Sequence, residues 1–218
     1  MFKPKNNSFH AYEIKLKERL SELLPGERAQ FKMAPLQRHS KKISVYTKKA
    51  GVLLLLYPKE NSVYTVLIKR QIYEGVHSGQ ISLPGGKMER DDKNVIETAI
   101  RETKEEIGID ENEIKILGKL TKLFIPVSDY IVHPIIGSIS YEPEFFPNKR
   151  EVENIYTIKL EQLMDPTCIN QSKTFKENNK KYTAPFYEID DLNIWGATAM
   201  ILSEFLELYK KVFTQYRV

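Results

Sequence analysis

The chain has 218 residues, 41% apolar and 28% charged, with a net charge of +4, the profile of a soluble globular protein with a substantial core. Its longest apolar run, Ala50 to Tyr57, is far short of the about 20 residues that span a bilayer. The lysines are scattered rather than set in a strip interleaved with aromatics, which argues against a nucleic-acid partner. No apolar segment follows the first residues, so no secretory leader is expected. Cys168 is the single cysteine, so no internal disulfide forms, which suits a reducing compartment and a cytoplasmic location.

In chain order, Ala11 to Leu24 carries Ile14, Leu16, Leu20, Leu23 and Leu24 among charged residues, which predicts an amphipathic helix ended by Pro25-Gly26. A basic connector runs from Glu27 to Lys48. Lys49 to Tyr57 and Val63 to Arg70 read as two strands joined by a turn at Pro58 to Ser62. Gln80 to Leu83 is short and extended, and Pro84-Gly85-Gly86 breaks the chain. A helix follows, capped at its start by Asp91 or Asp92, with Ile96, Ala99, Ile100, Thr103 and Ile107 as its buried stripe. Gly108 occupies the position of a left-handed C-terminal cap. Ile114 to Phe124, Val132 to Ser140 and Asn154 to Leu160 read as strands. Asn170 to Lys181 reads as a hairpin or loop, and Ala197 to Phe213 as a final amphipathic helix. The mixed order predicts an α+β class, with helices packed on a mixed sheet. Residues 1–48 form an N-terminal helix and connector ahead of a domain over 49–218. That arm would either cover the pocket or make a homodimer contact.

The helix beginning near Asp92 carries the chemistry. Opposite its apolar stripe lie Glu97, Arg101, Glu102, Glu105 and Glu106. Glu102 and Glu106 are four apart and project from one face, Glu105 borders them, and Arg101 is placed to hold Glu97 and Glu105. An acidic solvent face would have the same look, because like charges at this spacing cost only about 0.3–0.5 kcal/mol. Three glutamates also make a site for a hard divalent cation, which takes oxygen ligands together with phosphate oxygens. The preceding Gly85-Gly86 lets backbone approach a diphosphate closely and present N–H donors. The glycine turn next to the glutamates favours the cation site, with Glu102 and Glu106 on the polar face of the helix.

These residues resemble the Nudix box, G-x5-E-x7-R-E-U-x-E-E-x-G-U with U apolar. Gly86 begins it and Arg101-Glu102-Thr103-Lys104-Glu105-Glu106-Ile107-Gly108-Ile109 ends it. Thr103 stands for an apolar residue and Asp92 for the first glutamate, with eight residues rather than seven before Arg101. Upstream, Arg70, Gly79, Ser82, Pro84, Gly85 and Gly86 fall in register with the signature of the coenzyme A diphosphatase branch. Gly75 stands there for an arginine, Gln71 for a serine and Leu83 for a phenylalanine. The resemblance extends to Pro126 to Pro134 and to Ile194 to Ala199.

The resemblance implies a Nudix fold, an α/β/α sandwich, and a hydrolase that cleaves the diphosphate of coenzyme A or its derivatives to 3′,5′-ADP and 4′-phosphopantetheine. It implies Mg2+ or Mn2+, held by Glu102 and Glu106 with Glu105 next. Arg101 would orient these acids, Gly85, Gly86 and Ser82 would face the substrate, and Arg70 would bind phosphate. The general base would be Glu102, or a residue of a later loop such as Glu151 or Glu153. His77 reads as a loop residue at the substrate's edge. Tyr130 and Trp195 would stack on a base or pack in the core. ADP-ribose, a dinucleotide or a nucleoside triphosphate are alternative substrates, and a non-catalytic nucleotide sensor is the alternative to an enzyme.

Overall fold

The structure, a computed structural model, describes residues 6–36, 42–73, 77–177 and 180–214. Gly75 lies outside them. The helices are α1 (Asn6–Leu20), α2 (Glu27–Gln30), α3 (Val95–Ile107), α4 (Leu160–Met164) and α5 (Gly196–Thr214). The strands are β1 (Lys48–Lys59), β2 (Ser62–Arg70), β3 (Ile81–Ser82), β4 (Gly85–Lys87), β5 (Lys115–Lys119), β6 (Leu123–Ile125), β7 (Tyr130–Ser138), β8 (Val152–Lys159), β9 (Ile169–Glu177), β10 (Lys180–Ile189) and β11 (Leu192–Trp195).

An eight-stranded mixed sheet runs β3-β2-β1-β7-β5, with β4 also paired to β1, β6 to β7 and β8 to β2. Only the β1–β7 ladder is parallel. The continuous apolar run of β1 follows from burial on both faces. Leu53 and Leu55 join a core with Ala99 and Ile107 of α3, while Leu54 and Leu56 join a larger core with α1 and α5. Successive strand side chains point to opposite faces, so a strand covered on both sides has no polar alternation. Helices therefore lie on both faces, and the α+β sandwich with a mixed sheet is the observed class. A separate antiparallel sheet, β11-β10-β9, completes the fold. The Asn170 to Lys181 stretch is thus part of a hairpin. Among the described residues no helix is long and apolar enough to cross a membrane.

One edge of β1 is shared between two partners. Its C-terminal half pairs with β2 through a two-residue turn at Glu60 and Asn61, both at positive φ, the geometry a tight hairpin needs. Its N-terminal half pairs with β4, Gly51 opposite Gly86 and Val52 opposite Gly85. The Gly85-Gly86 corner is therefore a paired strand rather than a free turn. Its two flanking pairings fix the corner in the sheet.

Three local expectations need correction. The N-cap of α3 is Asn94, whose side chain accepts from Ile96 N and Glu97 N at 2.9 and 3.3 Å. Asp92 instead faces the helix side chains. In α1, which ends at Leu20, Ile14 is exposed and Leu23 beyond it is 98% exposed. Phe9, Tyr12, Leu16 and Leu20 are the buried stripe, because α1 begins five residues earlier than its leucine spacing suggests. Finally, the strand expected over Ile114 to Phe124 is split into β5 and β6. Gly108 does cap α3 in the left-handed conformation, φ 78° and ψ 14°.

Candidate active site

The site lies where α3 crosses the β4 corner. Gly86 is the contact point: a Cβ there would sit 2.5–2.6 Å from the Glu102 carboxylate, so any side chain would displace that acid from the strand. Gly85 takes φ +146°, open to glycine but strained for other residues. Its N–H donates to Glu106 Oε2 at 2.8 Å, and Arg70 Nη1 reaches Glu106 Oε1 at 3.3 Å.

Glu106 is fully buried, although the sequence placed it on the polar face of the helix. The helical period puts it beside Glu102, but β4 covers that end of the stripe. Burial pushes its carboxyl up to about 7, opposed by Arg70 and the Gly85 N–H and reinforced by Glu102 and Glu151. Glu102 is also raised above the usual carboxylate range. Burial is the main cause, Arg101 opposes it, and Glu105 and Glu151 add to it.

Carboxylate oxygens of Glu102, Glu106 and Glu151 lie within 4.8 Å of one another. Glu105 is outside this trio, about half exposed and bound to Arg101 Nη1 at 3.0 Å. Glu153 is also outside it, paired with Lys69 at 2.7 Å. Glu151 arrives through strand pairing. β8 opens at Val152 opposite Arg70, and Gln71 N donates to Glu151 O at 2.9 Å. The sequence named Glu151 as a base candidate but not as a neighbour of Glu106, since 45 residues and a strand register separate them.

Arg101 is held on several sides. Its Nε and Nη2 donate to Asp92 at 3.0 and 3.1 Å, Nη2 to the Lys87 carbonyl at 3.2 Å, and Nη1 meets Glu102 at 3.0 Å. Glu97 is not among its partners and pairs with Lys93. The Arg101 guanidinium, with Thr98 Oγ1 and Glu89 N, holds buried Asp92 down at about 2. Asp92 thus anchors Arg101 although the sequence offered it only as a cap.

A cleft of about 270 Å³ adjoins the corner on the other face of β1. Arg70, Ser82, Gly85, Gly86 and Lys87 line its polar end, and Ile125, Val132 and Ile201 its apolar wall. Among the described residues Ser82 Oγ is buried without a hydrogen-bond partner. His77 and Tyr130 also line the cleft. Trp195 does not; it stacks on Phe175 with ring centres 4.4 Å apart and borders a second cleft behind β3.

The NUDIX domain family model matches residues 47–184, from the strand before the glycine corner through β8 and into β10. Proteins named "Uncharacterized Nudix hydrolase NudL" from Yersinia pestis (strain Pestoides F) and Yersinia pseudotuberculosis (serotype O:1b, strain IP 31758) are each 32% identical over 165 residues. Each alignment covers 75% of this chain and 81% of the relative. Among solved structures, the Nudix hydrolase RenU of M. smegmatis is 12% identical, with a TM-score of 0.48 over 79% of this chain and 89% of its own. The chain belongs to the Nudix family, as a hydrolase of nucleoside-diphosphate derivatives.

Proposed function

We propose that the protein is a Mg2+- or Mn2+-dependent diphosphatase that cleaves coenzyme A or its derivatives to 3′,5′-ADP and 4′-phosphopantetheine. The observation that carries this reading is the convergence of Glu102, Glu106 and Glu151 on a side-chain-free corner beside a cleft. The donor set fits a hard divalent cation: all ligand atoms are carboxylate oxygens, and burial disfavours the charge of Glu102 and Glu106 unless a cation compensates it. Glu102, Glu106 and Glu151 would hold it, and when bound it supplies charge neutralisation for phosphate oxygens and a more acidic water.

The chain's own groups do the rest. Gly85 and Gly86 let the diphosphate lie against backbone, and Ser82 offers its hydroxyl. Arg101, braced by Asp92 and Glu105, orients Glu102. A water oxygen forms a bond to one phosphorus, the bridging P–O bond breaks, and the water's proton passes to a carboxylate. Glu151 is the best placed acceptor, through the carboxylate oxygen it does not offer to the cation: it is exposed, and among the described residues its side chain has only a long 3.4 Å contact from Asn148 Nδ2. Glu102 is the alternative. The coenzyme A assignment draws on Arg70, Gly79, Ser82 and Pro84 to Gly86 matching that branch's signature. Buried, unpaired Cys168, its thiol pushed up to about 11 by burial, suits a reducing cytoplasm.

The test is turnover of coenzyme A, ADP-ribose, a dinucleoside polyphosphate and a nucleoside triphosphate with each cation, products identified by mass. The expected result is 3′,5′-ADP and 4′-phosphopantetheine from coenzyme A. Preference for ADP-ribose would remove the coenzyme A assignment, and tight binding without turnover would make the protein a sensor.

A further inference from the structure

We infer that Arg70 is a positioning residue, acting on the reaction through Glu106 and not by binding substrate phosphate. The inference rests on the metal-dependent reading above. Arg70 ends β2, and its Nη1 lies 3.3 Å from Glu106 Oε1 and 3.5 Å from the Gly85 carbonyl. The Gly85 N–H meets the other oxygen of Glu106. Strand β2, corner β4 and helix α3 are thus tied together at one carboxylate.

The arrangement repeats at the neighbouring acid. Arg101 pairs with Glu102 and donates to the Lys87 carbonyl. Each of the two α3 glutamates in the trio has its own arginine, and each arginine is indexed to a carbonyl of β4. Among the described residues no arginine or lysine pairs with Glu151. Glu106 is completely inaccessible and Arg70 only 23% exposed. Pulling Nη1 away to a phosphate would break its contacts to both Glu106 Oε1 and the Gly85 carbonyl. Lining the cleft therefore does not make Arg70 a free phosphate ligand.

The two roles separate in Arg70→Gln and Arg70→Lys. Lysine is a point charge that binds phosphate well, but its shorter side chain does not place an N–H where Arg70 Nη1 meets both Glu106 Oε1 and the Gly85 carbonyl. For a positioning role, both variants lose on the order of 10–100-fold in Mn2+ affinity or in kcat at saturating Mn2+. Mn2+ affinity is measured without substrate by electron paramagnetic resonance, and KM stays near wild type. In an Glu106→Gln background, Arg70→Gln adds little further loss, because the residue it acts through is already changed. Three results would overturn the inference: recovery of wild-type turnover in Arg70→Lys, a raised KM with kcat and Mn2+ affinity intact, or a full additional loss in the Glu106→Gln background. Should Arg70→Gln not fold, the charge-retaining Arg70→Lys carries the same comparison alone and in the double variant. Wild-type protein that binds no Mn2+ would overturn the metal reading itself, a failure visible before any Arg70 variant is made.

Discussion

At the scale of residues, the site is a compromise between folding and binding. Glu106 is raised to about 7 in the fold, above its unfolded value of about 4.3. Its contribution is fully present below the unfolded value and is lost as pH climbs from about 4.3 through about 7. Glu106→Gln is therefore expected to stabilise the cation-free protein by about 1–3 kcal/mol at pH 8 and to change it little below about pH 4, where the carboxyl is protonated in both states. Thermal melts at the two pH values check this. The same substitution removes a ligand, so it and Glu102→Gln are each expected to lower turnover on the order of 10²–10⁴-fold. A variant that gains stability and loses activity is a site residue; one that loses both is structural. Gly86→Ala places a methyl against the Glu102 carboxylate and should lower kcat with the protein still folded. The glutamate spacing and the glycine corner were legible in sequence because both are local patterns. The burial of Glu106 and the arrival of Glu151 were not, since each depends on strands that pair across the chain.

Among the elements, α3 and its approach loop decide the geometry. The helix is fixed at its start by Asn94, at its end by Gly108, and across its face by Asp92 holding Arg101. Sequence reading found the glycine cap, whose position is set by one residue type. It named Asp91 or Asp92 as the start cap, residue types that cap well, and only the fold shows Asp92 already engaged by Arg101, Thr98 and Glu89. Asn94→Ala should lower stability by about 1 kcal/mol with little effect on turnover. Asp92 behaves in the opposite sense to Glu106. Its pKa of about 2 lies below the unfolded value of about 3.9, so it stabilises the fold above pH 4 and the benefit disappears as pH falls through 2. Asp92→Asn is expected to cost about 2 kcal/mol at pH 7 and to converge with wild type in acid denaturation near pH 2. It should also lower kcat by releasing Arg101.

For the molecule as a whole, the N-terminal arm shares the core of the domain. Phe9, Tyr12, Leu16 and Leu20 are buried in the same cluster as Leu117, Leu120, Phe205 and Tyr209, and Glu13 is buried against Ser138 and Lys115. Met33 joins that cluster, and Gln30 donates to buried Glu204 of α5 at 2.8 Å. Four such side chains contribute roughly 6–12 kcal/mol at about 1.5–3 each, comparable with the whole stability of a domain, about 5–15 kcal/mol. Removing residues 1–20 should therefore abolish the cooperative melt seen by circular dichroism. The leucine spacing alone showed an amphipathic helix but not its partner, because a helix face carries no mark of the surface it will cover. The central claim concerns the three acids at the β4 corner, and anomalous diffraction from crystals grown with Mn2+ tests it most directly. The expected result is one strong peak at a coordination distance of about 2.0–2.6 Å from carboxylate oxygens of Glu102, Glu106 and Glu151. A peak coordinated elsewhere, or none in crystals of active protein, would contradict the account.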